Sequence, residues 1–384
     1  MAEEQKNYIN KLYEYIVDEI SISDTMLDKA IKSYGAVGKW LGDCDPSLDV
    51  KIMPQGSVNL GTVIKPISDE DDYDIDLVCL LKNGGEMKAS EIKEIVGRRL
   101  KEHKTYNEML EDEGKRCWTI RYDEFHMDIL PSVPKNHLYI EPEKTEIRLT
   151  HKLDNGSYID KFSNPAKYKL WFEDRMKTVL LESKRTFAMK NQVEIDDVPT
   201  YSVRTPLQKA IQLLKRHRDI SFANDKEGVA PISIIITTLA ARAYNNETNV
   251  YDALNGILSR MAYYIEKDES GKYKICNPVM EEENFADKWA IEPEKAKAFF
   301  DWLERAKEEI ITKPMLLEGV VEQSKLVKSC FGDKVTNRAY NRIGEETRIA
   351  RENQNLYTSN LKGGVSTVAD EDSKPIPGHT FYGE

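Results

Sequence analysis

The stretch Tyr73-Asp74-Ile75-Asp76-Leu77-Val78-Cys79-Leu80-Leu81 leaves a folding chain little freedom. Read as a strand, it sends Asp74 and Asp76 to one face and Ile75, Leu77, Cys79 and Leu81 to the other. The acid face turns apolar at Val78 and Leu80, so this is a buried strand with two carboxylates at its first end. Two like charges beside an apolar core are strongly unfavourable unless something neutralises them. Hard divalent cations do so, and Mg²⁺ prefers carboxylate oxygens. The segment Glu124 to Leu130 repeats the design, with Phe125, Met127 and Ile129 on one face and His126, Asp128 and Leu130 on the other. A lone acid again stands on an otherwise apolar strand. Pro131 and Pro134 are expected to end it.

Composition limits what such a pair of strands can belong to. The 384 residues suffice for two or three domains or one bilobed unit, and the formal net charge is −11. That balance argues against a general duplex-DNA binder, which needs a dominant basic surface. Cys44, Cys79, Cys117, Cys276 and Cys330 form no CxxC pair and no zinc spacing with histidine, which fits a reducing cytoplasm. The start Met-Ala-Glu-Glu-Gln-Lys does not read as a signal peptide. The longest apolar run, Ile232 to Ala241, is interrupted by Ser233, Thr237 and Thr238, so no membrane span is expected.

Periodicity predicts helices over about 5–42, broken near Ser23 and Asp24, and over Glu91–Lys101 behind Ser90 as cap. A short strand, Lys51-Ile52-Met53, and a Gly56-Ser57 turn precede the acid strand. A further strand covers Arg116–Arg121. From Pro165 the pattern becomes helical: 166–191, a helix opening at Thr205-Pro206, another from Pro231 through Tyr244, then 251–266, 293–311, 316–330 and 335–353. The helix after Pro206 has an apolar stripe of Leu207, Ala210, Ile211 and Leu214. Its polar stripe is Gln208, Gln212, Lys215 and Arg218 or Asp219, with Arg216 and His217 read as surface residues. Residues 356–384 lose periodicity and read as a flexible tail.

Three acids on two strands suit two-metal phosphoryl chemistry, in which paired cations clamp the attacking and leaving oxygens of an in-line displacement. Asp-x-Asp alone is common at solvated strand ends. Here the acids adjoin apolar cores, a third acid recurs in the same pattern, and Gly56-Ser57 supplies backbone N–H groups and a hydroxyl suited to phosphate oxygens. The run Asp69-Glu70-Asp71-Asp72 reads as a solvated loop. His126 reads as a satisfied core histidine, because Mg²⁺ prefers oxygen. Lys215 can neutralise a triphosphate as a point charge, and Ser233 sits in the first turn after Pro231, where free N–H groups favour anions.

Gly56-Ser57-x3-Gly61-Thr62 followed by Asp74-x-Asp76 resembles the signature of polymerase-β-like nucleotidyltransferases, and specifically the bacterial cGAS/DncV-like enzymes that make cyclic oligonucleotide signals in antiphage defence. Leu207–Asp219, Pro231–Ala240 and Asn277-Pro278 with Glu283–Trp289 are similar to further family segments, so the match runs over about residues 10–350. The resemblance implies an α+β, bilobed fold. A mixed-sheet nucleotidyltransferase lobe (1–160), its N-terminal helices packing across both lobes, would pack on a helical lobe (161–355), with a tail at 356–384. It implies that Asp74, Asp76 and Asp128 bind two Mg²⁺ ions, with Mn²⁺ as substitute, and that Gln55, Gly56, Ser57, Lys215 and Ser233 position NTP substrates, ATP among them. Some members have a partner resembling a ubiquitin-transfer enzyme that joins their C-terminus to a target, and Gly383-Glu384 after Phe381-Tyr382 would suit such capture. No duplex DNA or membrane partner is expected, and the setting is the bacterial cytoplasm. Two other readings stay open: an enzyme that extends RNA or makes linear oligonucleotides, and an inactive nucleotidyltransferase fold that acts by binding or conjugation.

Overall fold

The computed structural model describes residues 2–43, 46–68, 72–136, 146–192, 194, 203–317, 319–359, 364–366, 369 and 373–377. A mixed sheet forms from β1 (Val50–Pro54), β2 (Tyr73–Leu81), β3 (Trp118–Arg121), β4 (Phe125–Pro134), β5 (Ile147–Lys152) and β6 (Tyr158–Ser163). Its order is β1-β2-β4-β5-β6, with β3 also paired to β4. β2 and β4 run parallel along eight residues of each, and the remaining pairs are antiparallel.

The alternation expected of β2 is what places the core. Ile75, Leu77, Cys79 and Leu81 are fully buried, under α2 (Asp24–Gly42) and α4 (Ala89–Glu102). On the acid face, Val78 and Leu80 pack with Ile147 and Leu149. The strand β4 does not stop at Pro131. It continues through Pro134, because β3 pairs with residues 126–129 and β5 with residues 132–134 on the same side. Pro131 falls in the gap between those two neighbours, where no ladder N–H is called for.

The second core is helical. It gathers α8 (Pro206–Ser221), α9 (Ser233–Ala243), α10 (Val250–Arg260), α11 (Pro293–Lys307), α13 (Val320–Phe331) and α14 (Asp333–Glu352). Although α1 (Ala2–Ile20) begins the chain, its Ile9, Leu12, Ile16 and Ile20 join this helical core, whereas α2 joins the sheet. The helix expected over 166–191 is divided into α6 (Pro165–Arg175) and α7 (Lys177–Asn191), with buried Met176 at the break. A five-residue π-helix, Glu308–Thr312, follows α11. The described part of 356–384 departs from a structureless tail: Tyr357–Ser359 pairs with Gly364–Ser366 and with Ser373–Pro375. Gly383 and Glu384 lie outside the described residues. No described helix is long and apolar enough to cross a membrane.

Candidate active site

Register brings the acids together. Along β2 and β4, Asp76 pairs with Asp128 and Asp74 with His126. Along β3, Thr119 stands opposite Asp128 and Arg121 opposite His126. One face of three strands thus carries two cross-strand rows, Asp76-Asp128-Thr119 and Asp74-His126-Arg121. Thr119 Oγ1 donates to Asp128 Oδ1 at 2.5 Å, which orients that carboxylate. Burial raises the Asp76 carboxyl to about 6, reinforced by Asp128 and Asp74 and opposed by Lys215. The Asp74 carboxyl is raised as well, first by burial and then by Asp128.

The Gly56-Ser57 element is the first turn of a short helix, α3 (Gly56–Leu60), rather than a simple turn. Gly56 has φ +62°, and a Cβ there would lie 2.1 Å from Asp76 Oδ2. The Gln55 N–H donates to the Asp76 carbonyl at 2.8 Å, so the head of α3 is fixed against the acid strand. That backbone bond is the place the structure gives Gln55. Its side chain does not line the cleft, while Gly56, Ser57, Asp74, Asp76, Asp128, Lys215 and Ser233 all do. The cleft measures about 550 Å³.

The opposite wall comes from α8 and α9. Lys215 is 6% exposed and lines the cleft. Its Nζ donates to the Thr62 carbonyl at 2.9 Å. Burial, with Arg218 nearby, lowers its ammonium to about 8, against the pull of Asp219, Asp76 and Asp74. α9 begins at Ser233, two residues after Pro231. Arg218 donates to Ser233 Oγ at 3.0 Å and to the Pro231 carbonyl, so the two walls of this corner are tied.

Three expectations need correction. Arg216 and His217 are 2% and 1% exposed, not surface residues. Trp302 Nε1–H donates to His217 Nδ1, which leaves Nε2–H to donate to Glu309. Asp72 is no solvated member of an acid run: its Oδ2 lies 3.0 Å from His126 Nε2, and it lines the cleft. Thr119 and Asp72 are thus site residues that sequence reasoning passed over, and Arg218, placed only on the polar stripe, is a third that it did not assign to the site. Only the i−9 spacing of a hydroxyl before Asp128, opposite it in a hairpin, could have pointed to Thr119.

Whether a divalent metal suits this site can be judged from the donors. Asp74, Asp76 and Asp128 offer an all-oxygen set, and two of them resist ionisation where they stand, so a hard cation fits. Among the described residues, His217, Glu309 and Cys330 also lie within 4.8 Å of one another. They do not fit, because the Trp302 bond places the imidazole hydrogen on the nitrogen a metal would need.

Residues 50–131 match the family model described as "Cyclic GMP-AMP synthase DncV-like, nucleotidyltransferase domain". The chain is 32% identical to the c-di-GMP synthase of Roseivirga ehrenbergii, over 96% of both chains. It is 23% identical to the cyclic dinucleotide synthase CdnG of Bradyrhizobium diazoefficiens, over 89% of this chain and 84% of CdnG. The solved structure of that CdnG in complex with GTP superposes with a TM-score of 0.69 at 19% identity, covering 88% of this chain and 99% of the other. The Vibrio cholerae DncV cyclic AMP-GMP synthase with nonhydrolyzable GTP gives 0.54 at 16% identity, covering 88% and 82%. With near-complete mutual coverage of a c-di-GMP synthase and three acids aligned across β2 and β4, the chain belongs to the cGAS/DncV-like nucleotidyltransferases.

Proposed function

We propose that this enzyme joins two GTP molecules into cyclic di-GMP, releasing two pyrophosphates. The observation that carries the choice of product is the 32% identity to a c-di-GMP synthase across 96% of the chain. The chemistry rests on the acid rows. A ribose hydroxyl attacks an α-phosphate in line with the departing pyrophosphate, and a second attack closes the ring. Asp74, Asp76 and Asp128 would hold two Mg²⁺ ions, or Mn²⁺, which supply charge neutralisation of the phosphates and a more acidic attacking hydroxyl. Thr119 occupies one oxygen of Asp128 and leaves the other to accept the hydroxyl proton. Gly56 and Ser57 at the head of α3, with Lys215, Arg218 and Ser233 across the cleft, bind the triphosphate from two sides. Leu60, Val63, Ile64 and Ile234 line the same cleft and exclude water from the departing group.

Purified protein with α-labelled GTP and Mg²⁺ tests this reading. The expected product resists phosphatase, has the mass of c-di-GMP and forms with two pyrophosphates each. A phosphatase-sensitive ladder would establish a linear polymerase instead. A cyclic product that forms only when ATP is added would overturn the choice of GTP alone. The same reading places the product in bacterial antiphage signalling. A host expressing the parent gene with its neighbouring genes should resist phage, and the Asp74→Ala, Asp76→Ala variant should not. Conjugation of the C-terminus by a ubiquitin-transfer-like partner belongs to this proposal too, and mass analysis of the cellular protein tests it.

A further inference from the structure

The described part of the connector from α3 to β2, residues 61–68 and 72, has no regular structure, yet its backbone is closely held over 62–66. Gln208 Nε2 donates to the Leu60 carbonyl at 2.9 Å and Lys215 Nζ to that of Thr62 at 2.9 Å. Gln212 Nε2 donates to Val63 at 2.7 Å. Arg216 reaches Lys65 and Pro66 at 2.8 and 3.1 Å. The connector's own N–H groups point elsewhere, Thr62 to the Ser57 carbonyl and Lys65 to that of Ile20 at the end of α1. One segment is thus strung between α1 and α8, with its carbonyls read one by one by a helical stripe at 208, 212 and 215–216.

This is an unusual way to bury a helix face. Gln208, Gln212 and Arg216 are 4%, 1% and 2% exposed. Among the described residues, Gln212 Oε1 and Arg216 Nε have no partner. Apolar side chains would cover the connector without leaving such atoms. What they could not do is fix its register, since apolar contact is non-directional, whereas Gln208, Gln212 and Lys215 each address one carbonyl and Arg216 two. Both ends of the held segment matter to the acids. Upstream, Gly56 abuts Asp76, and Gly61, at φ +65°, is so close to α8 that a Cβ would lie 2.5 Å from Gln208 Nε2. Within it, the Thr62 carbonyl holds the Lys215 ammonium in the cleft.

We propose that Gln208, Gln212 and Arg216 are positioning residues for nucleotidyl transfer, holding the 60–66 connector so that Ser57 and Lys215 stand at a fixed height over Asp74 and Asp76. This rests on the function proposed above. Gln208 also caps α8 through the Thr205 N–H, so the test uses the other two. Gln212→Met and Arg216→Met are compared with the parent and with Arg216→Lys, well below their unfolding temperatures. Two readouts are taken: steady-state pyrophosphate release from GTP with Mg²⁺, and hydrogen exchange of the nucleotide-free protein. The Thr62 and Lys65 amides should exchange at least about tenfold faster in both Met variants. Their kcat should fall about 10²-fold with KM within about threefold, and Arg216→Lys should recover part of the loss. Unchanged exchange would overturn the holding role whether or not any variant is active. Faster exchange with unchanged kcat would overturn the catalytic consequence and leave a purely structural seam. A parent that releases no pyrophosphate while its exchange responds as expected would instead overturn the proposed function and, with it, the assignment to nucleotidyl transfer, leaving only the holding role.

Discussion

At Gly56 two constraints coincide: a left-handed φ of +62° and a missing Cβ that would stand 2.1 Å from Asp76 Oδ2. Gly56→Ala should therefore lower pyrophosphate release at least about 10²-fold, and cost about 1–3 kcal/mol in urea denaturation. Asp76 offers a sharper test. Its carboxyl is raised to about 6 from 3.8, so over that interval the folded protein binds more protons than the unfolded chain, and stability falls as pH rises. Without divalent cations, Asp76→Asn should be more stable than the parent. The difference should open between about pH 4 and 6 and stay level above, on the order of 3 kcal/mol. Mg²⁺ or Mn²⁺ should raise the parent's melting temperature at pH 7 and do so far less for the variant. At this scale the acids were legible because alternation and apolar neighbours mark them out. Thr119 and Asp72 were not, because a cross-strand partner depends on register, which no local pattern prints.

Among the elements, α8 was read correctly in place, but its Arg216 and His217 were wrongly read as surface residues. Thr205 caps it and Pro206 opens it as expected. Its polar residues nonetheless face the connector and the helical core rather than solvent, since polarity alone does not distinguish a solvated stripe from one that meets backbone carbonyls. Behind the helix, His217 bridges Trp302 and Glu309. His217→Ala strands both partners, one of them fully buried, and should cost about 2–4 kcal/mol in chemical denaturation. The kcat measured below the transition should stay within about threefold, because the acid rows lie on another element. β4 shows the opposite error. Proline normally ends a ladder, and only the exchange of β3 for β5 along one edge lets the strand run on.

For the molecule as a whole, two apolar cores meet along the α8–connector seam, and the two N-terminal helices divide between them. The order of strands early and helices late was legible from periodicity, and the α+β, bilobed design was what the resemblance implied. That the N-terminal helices pack across both lobes came with the resemblance and not with periodicity, because an amphipathic face does not name its partner. The net charge of −11 bears on regulation at this scale. Added duplex DNA should leave the turnover of GTP within about twofold at physiological salt, measured as pyrophosphate release. A large stimulation would require a basic surface that the charge balance disfavours.

The parallel pairing of β2 with β4 makes the centre all-or-nothing. Side chains on a strand repeat every second residue, so a slip of β4 by one position would put Met127 or Ile129 beside Asp76 and drive Asp128 into the layer under α4. No intermediate offset gives a weaker version of the same site. Insertions and deletions in the loops that flank α4 and β3 between β2 and β4 can therefore accumulate with little effect, up to the one that shifts the register and silences the enzyme in a single step.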